Sequence, residues 1–141
     1  MGDDMLNTVE QVAWPRPVTS PVRSPESRVF WDGCDAGKFL FKRCLACGEP
    51  HFYPRSACPF CFSDRVEWEQ ASGKGTLYSF TIVRRSPTGP YALAYVELEE
   101  GPRLMTNIVR CDFEALRVGQ SVALVFQPIE GGGAIPMFQP A

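Results

Sequence analysis

The residues in this sequence best placed to do chemistry are four cysteines. Cys44-Leu45-Ala46-Cys47 and Cys58-Pro59-Phe60-Cys61 are two Cys-x2-Cys turns, with ten residues between Cys47 and Cys58. Such a turn lets two sulfurs reach one ion while nearby amides donate to them and spread their charge, and two turns complete the four-ligand shell that zinc takes. A two-stranded hairpin can bring the turns together across the spacer. Iron is the substitute to weigh, because rubredoxin-type sites use the same four thiolates. The other readings are four unligated thiols or two disulfides, and a disulfide framework belongs to secreted chains. The start Met1-Gly2-Asp3-Asp4 is acidic where a secretory signal would be basic. A closed shell of four sulfurs leaves no position for water or substrate, so the expected ion is one structural zinc that does no chemistry.

Other reactive side chains are sparse. His51 is the only histidine, and with four cysteines satisfying the metal and no nucleophile at a matching spacing it reads as structural or exposed. Cys34 falls on a helical stripe and reads as a small core residue, not a fifth ligand. Cys111, at a strand end, reads as core in preference to nucleophile. No Ser-His-Asp or Cys-His set, no Gly-x-Ser-x-Gly elbow and no evident carboxylate pair is present.

The elements that must position the cysteines follow from pattern. Residues 1–24 hold Pro15, Pro17 and Pro21 without a sustained period and read as a flexible tail or as an extended arm anchored by Trp14. Ser24-Pro25-Glu26 is a helix start, with Ser as N-cap, Pro in the first turn and an acid where the dipole favours it; Gly37 is the stop. Phe30, Trp31 and Cys34 share one side of that helix, residues 25–37. Residues 38–65 form the ribbon: Lys38 to Arg43 leads into the first knuckle, and Glu49 to Tyr53 returns from it. Residues 66–141 read as short strands between turn signals, with two alternating faces predicted for each of the longer ones. Leu77, Ser79, Thr81 and Val83 oppose Tyr78, Phe80 and Ile82; Ala92, Ala94, Val96 and Leu98 oppose Tyr91, Leu93 and Tyr95. Five strands, with a helical turn at Asp112 to Leu116 before the last two, predict a small OB-type barrel. The fold class is therefore mainly β: a short helix, a rubredoxin-like zinc ribbon and a five-stranded OB-fold. Gly73 and Gly75 suit a bend or bulge better than a phosphate loop, since no helix follows them.

The chain has 141 residues, a formal net charge of -2 and a sequence pI near 5.4. That balance disfavours a general nucleic-acid binder, which normally shows a basic excess. No run of about 20 apolar residues is present to span a membrane, and a cytoplasmic protein is expected. Charge is uneven: across residues 38–65, Lys38, Lys42, Arg43, Arg55 and Arg65 outnumber Glu49 and Asp64, so a locally basic face accompanies an acidic remainder.

In order along residues 24–141 stand Phe30-Trp31, Cys44-x2-Cys47-Gly48, Pro54-Arg55, Cys58-Pro59-x-Cys61, Gly73-x-Gly75-Thr76 with Tyr78-Ser79-Phe80-Thr81, Glu100-Gly101-Pro102 and Val118-Gly119. This series resembles the acyl-CoA-associated zinc-ribbon/OB-fold family. The resemblance implies a non-catalytic accessory subunit of a thiolase-fold enzyme, such as a thiolase, an acyltransferase or a lipid-transfer-type steroid side-chain aldolase. It implies docking in a hetero-oligomer and help in building or bridging the acyl-CoA site, with the catalytic residues in the partner. Coenzyme A is a polyanion with an amphipathic arm and calls for cations beside apolar walls; Arg43, Arg55, Arg84 and Arg85 with Tyr78, Tyr91 and Tyr95 are the candidates. Phe30 and Trp31 are the candidate docking aromatics. In one place the sequence departs from the family pattern. Phe62 stands after the second knuckle where Gly is usual, which would force a side chain into a left-handed backbone. The alternative is a nucleic-acid-binding zinc-ribbon/OB-fold module in which Phe80, Tyr91 and Tyr95 stack bases.

Overall fold

The computed structural model describes residues 19–87, 89–129 and 131–141. Most of the 1–24 arm, with Trp14, lies outside the described residues. Ser24 opens the first helical turn as expected. Its hydroxyl accepts from the Ser27 amide at 3.2 Å while the Ser27 hydroxyl accepts from the Ser24 amide at 2.9 Å, a reciprocal cap. Helix α1 then runs Arg28–Asp35 and stops at Gly37, whose φ is +77°. There the Lys38 amide reaches Gly33 O at 2.8 Å and the Gly37 amide reaches Cys34 O at 3.0 Å, satisfying carbonyls the helix end leaves open.

The helix buries Phe30 and Cys34, each 1% exposed. Phe30 packs edge-on against Trp31 and Phe39 and lies 5.2 Å from Phe52. Burying such a ring contributes about 1.5–3 kcal/mol. Its ring belongs to the core, so of the predicted docking pair only Trp31 keeps an accessible edge; Trp31 donates its indole N–H to the Tyr53 hydroxyl at 2.9 Å. Two further links fix the helix. The Glu26 carboxylate accepts from the Ser56 amide and hydroxyl at 2.8 and 3.0 Å, and Asp35, paired with Arg23 at 2.7 Å, accepts from the Ala134 amide at 3.3 Å.

The ribbon is a three-stranded antiparallel sheet with β1 (Leu40–Cys44) between β2 (Pro50–His51) and β3 (Val66–Gln70). Although β3 opens the 66–141 segment, it pairs along its whole length with β1, from Leu40 opposite Gln70 to Cys44 opposite Val66. Lys42 lies over the Trp68 ring at 4.7 Å, stem and charge both covering it. The closed barrel is built by β4 (Lys74–Val83), β5 (Tyr91–Leu98), β6 (Arg103–Ile108), β7 (Ser121–Pro128) and β8 (Ala134–Pro140), in the order β4-β5-β6-β8-β7. A single 3-10 turn, Phe113–Ala115, precedes β7, capped by Asp112 accepting from the Glu114 amide at 3.0 Å. This is the five-stranded OB arrangement that the strand count predicts.

Alternation along β5 is as read from sequence: Ala92, Ala94, Val96 and Leu98 are buried and their neighbours are not. Along β4 it is not. A bulge between Leu77 and Ser79 leaves Tyr78 unpaired, so Leu77 points inward while Ser79 and Thr81 do not, and Phe80 and Ile82 pack on the core instead. One added residue reverses every side chain after it. Before the bulge Gly75 lets β5 approach: a Cβ there would lie 2.7 Å from Val96 Cγ1 and 2.9 Å from the Glu97 carbonyl oxygen. Gly75→Ala should therefore destabilise the barrel by about 1–3 kcal/mol, the range for overpacking, measured by urea unfolding. An unchanged midpoint would show that the strands separate freely at this point.

Candidate metal centre and the adjoining cleft

Cys44 closes β1, and the chain turns at once through the first knuckle. The Cys44 amide bonds Glu49 O at 3.0 Å, and the Leu45 amide bonds Arg65 O at 2.8 Å, holding the two knuckles side by side. The four Sγ atoms of Cys44, Cys47, Cys58 and Cys61 all lie within 4.8 Å of one another. Two of the edges, Cys44–Cys61 and Cys47–Cys58, are 3.6 and 3.7 Å, close to the edge of roughly 3.8 Å that a tetrahedron with metal–sulfur bonds of about 2.3 Å requires. Cys44 and Cys58 are buried; Cys47 and Cys61 face outward.

The knuckles repeat one another. The Cys47 amide donates to Cys44 Sγ and the Phe60 amide to Cys58 Sγ, each at 3.4 Å. Gly48 then donates to Cys44 O and Phe62 to Cys58 O, each at 2.9 Å. The expected left-handed backbone is present at both, with φ of +80° at Gly48 and +68° at Phe62. At Phe62 it costs about 1–2 kcal/mol, and the four sulfurs still converge. The Cys47 amide pushes the Cys44 thiol down to about 6. Cys47 is pushed up to about 12 by desolvation and the adjoining thiols, against the Glu49 amide. The donors thus fit a soft cation of tetrahedral preference, and such an ion would replace the protons these sulfurs share. Cys34, pushed up to about 12 by burial, and Cys111, pushed up to about 11, sit in the core as predicted. Among the described residues no other cluster of His, Cys, Asp or Glu has metal-site geometry.

Beside the knuckles a cleft of about 600 Å³ separates ribbon from barrel, lined in part by His51, Phe52, Arg55, Phe60, Glu100 and Arg103. The cleft is not legible in the residues, because His51 and Arg103 lie in different sheets and share it only where the Glu100-Gly101-Pro102 turn packs beside Pro50; that turn is the available signal. His51 is 4% exposed and accepts from the Arg55 amide at Nε2, 3.3 Å away. Burial first, then the charges of Lys42 and Arg55, lower its pKa below the ordinary 6.5, so the ring is neutral with its proton on Nδ1. Nδ1 of His51 and Oε1 of Glu100 are buried without hydrogen-bond partners among the described residues.

The predicted cations and aromatics do not converge on this cleft. Arg55 lines it. Arg43 pairs with Glu69 at 3.0 Å and donates to Gly48 O. Tyr78, freed by the bulge, is half exposed under the Arg103 guanidinium at 4.1 Å, and Tyr95 is half exposed on the outer barrel face. Tyr91 opposes Val83 at the far end of β4. Arg84 and Arg85 follow Val83 there, Arg84 paired with Glu114 at 2.8 Å. Eight residues of strand, roughly 26 Å, separate that end from the cleft.

Two measurements test this site. Protein carrying Cys58→Ser should lose its bound metal and the dispersed amide resonances of residues 38–65, and chelation of the wild type should do the same; a dispersed, metal-free ribbon would contradict a folding role. His51 should titrate below 6.5 by imidazole NMR. Because the folded value is lowered, its neutral form contributes stability above pH 6.5, lost as pH falls through and below that value. A titration at or above 6.5 would refute the buried neutral ring.

Comparison with known proteins follows the same division of the chain. Residues 31–67 match the ChsH2 rubredoxin-like zinc ribbon domain and residues 68–127 the ChsH2 C-terminal OB-fold domain. A DUF35 domain-containing scaffold protein of Methanothermobacter thermautotrophicus is 37% identical over 64% of this chain and 73% of its own length. A probable enoyl-CoA hydratase alpha subunit of Thermomonospora curvata is 30% identical over 90% of this chain, which spans only 40% of that protein. The benzoylsuccinyl-CoA thiolase subunit BbsA of Thauera aromatica is 34% identical over 55% of this chain and 60% of its own length. Among solved structures, a chain of the Ltp2-ChsH2(DUF35) aldolase superposes with a TM-score of 0.78 at 28% identity, over 86% of this chain and 98% of that one. With its ribbon and barrel both matched, this chain belongs to the ChsH2/DUF35 family of zinc-ribbon and OB-fold proteins.

Proposed function

We propose that this chain is a non-catalytic accessory subunit of a thiolase-fold enzyme, a thiolase, acyltransferase or steroid side-chain aldolase, and that it helps build or bridge the acyl-CoA site. The observation that carries the reading is its likeness to a chain of the Ltp2-ChsH2(DUF35) aldolase over nearly all of that chain. A relative that is a thiolase subunit points the same way. The chemistry is compatible: thiols raised to about 12 and 11 are unreactive near neutral pH, and a partner can order a substrate without donating a reacting group. Zinc is the ion, with iron as the substitute, and it locks the ribbon that meets the enzyme. The cleft, with Arg103 and Phe52 in its walls, is a better candidate for contact with an acyl-CoA than the dispersed Arg84, Arg85 and Tyr91. The setting is the cytoplasm, without nucleic acid.

Co-expression with a thiolase-like enzyme should yield one complex on size exclusion, containing about one zinc per copy of this chain. The chain alone should be inactive and should raise the enzyme's activity or stability toward an acyl-CoA. Separate elution with full activity of the enzyme alone would rule the reading out, and sub-micromolar binding of single-stranded DNA or RNA at physiological salt would favour the nucleic-acid alternative.

A further inference from the structure

The ring of Phe62 gains nothing from the fold that holds it. Gly48 makes the equivalent turn in the first knuckle with no side chain, whereas Phe62 places a large apolar group in the same left-handed backbone and leaves it 81% exposed. Among the described residues its ring takes part in none of the aromatic or cation contacts that engage Phe30, Phe39, Phe52 and Tyr53. Phe60, 62% exposed, and Leu45, 48% exposed, belong to the same two knuckles, so the metal end of the ribbon is tipped with apolar side chains. Two exposed arginines belong to the same segment. Arg65 is joined through its carbonyl to the Leu45 amide, and Arg55 shares the cleft wall with Phe60. Arg23, Arg43, Arg84 and Arg103 have carboxylates within ion-pair distance; among the described residues Arg55 and Arg65, like Arg28, Arg85, Arg110 and Arg117, have none that close, Arg55 acting on the Glu26 carboxylate only at longer range. Strain and apolar exposure held together at a rigid, metal-locked turn are features of a contact surface.

We propose that Phe62, with Phe60 and Leu45, is the anchor by which this chain docks on its partner protein, and that the partner presents an apolar pocket edged by carboxylates facing Arg55 and Arg65. The inference rests on the accessory-subunit reading and adds its point of attachment. A rigid aromatic that fills a pocket, accompanied by cations that find ion-pair partners only in the complex, is the composition of an interface hot spot. An anionic polymer or anionic lipid surface fits less well, since the chain as a whole is acidic.

The test uses metal-loaded full-length chain and the thiolase-like enzyme with which it forms a complex. Phe62→Gly removes the ring and suits the backbone, so it should melt at or above the wild-type temperature with its metal retained, while binding the enzyme at least tenfold more weakly. Phe62→Trp, which keeps a large ring, should bind within about threefold of wild type. Arg55→Glu with Arg65→Glu should weaken binding further, and wild-type affinity should fall with added salt. Wild-type affinity in Phe62→Gly overturns the anchor even if the accessory role stands. If the wild type itself fails to bind any thiolase-like enzyme, the accessory reading fails and the anchor with it. A wild-type homodimer that Phe62→Gly disperses would identify a second copy as the occupant and overturn the proposed partner.

Discussion

The ribbon depends on four sulfurs being brought to the corners of one tetrahedron. The ribbon is too small to hold itself: β2 is two residues long, and β1 gains most of its pairing from β3. A core that small supplies only a few kcal/mol, and a metal held by the four cysteines would supply further folding free energy. Cys44 and Cys58 face inward and Cys47 and Cys61 outward, so an ion held by all four would tie the interior to the outer turn of each knuckle. The outer turns can then carry exposed or strained residues that a flexible loop would let collapse.

Helix α1 is fastened to this frame at several points. Its first turn is tied through Glu26 to Ser56 between the knuckles, Phe30 packs into the ring cluster, and Asp35 reaches the strand that completes the barrel. The helix therefore joins ribbon and barrel through its side chains, and within the ribbon the β1–β3 pairing is extended by the Ala71 amide, which bonds Phe39 O at 2.8 Å. The cleft between ribbon and barrel is thus bounded by packed elements, which hold its walls in fixed positions.

Much of this was legible in the residues because it was local. The cysteine spacing identifies the clip, Ser24 and Gly37 bound the helix, and the small-residue alternation of β5 names its inner face. What escaped reading was long-range. The side to which Val66–Gln70 pairs is decided by β1, twenty-odd residues earlier, and Trp68 carries no mark of it. The bulge at Tyr78 turns the expected inner and outer faces of β4 over partway along, and no Gly or Pro at that position announces it. The arginines and tyrosines grouped by chemistry are distributed by topology, Arg55 at one end of the barrel and Arg84 at the other. Phe30 and Trp31, adjacent in sequence, differ in burial because neighbouring helical positions face about 100° apart.

The order of the barrel strands also sets a timetable for synthesis. β8 lies between β6 and β7, pairing antiparallel with β7 and touching β6 in parallel at Ile108 and Phe138. Until the residues to Pro140 have left the ribosome, β6 and β7 each present an unpaired edge. The ribbon has no such wait, since its strands are complete by Gln70. During translation the clip can take up its ion and fold while the barrel is still an open sheet. The nascent chain thus passes through a stage with a finished metal end and a template-like edge on the other half, the stage at which strand-swapping between copies is most open to it.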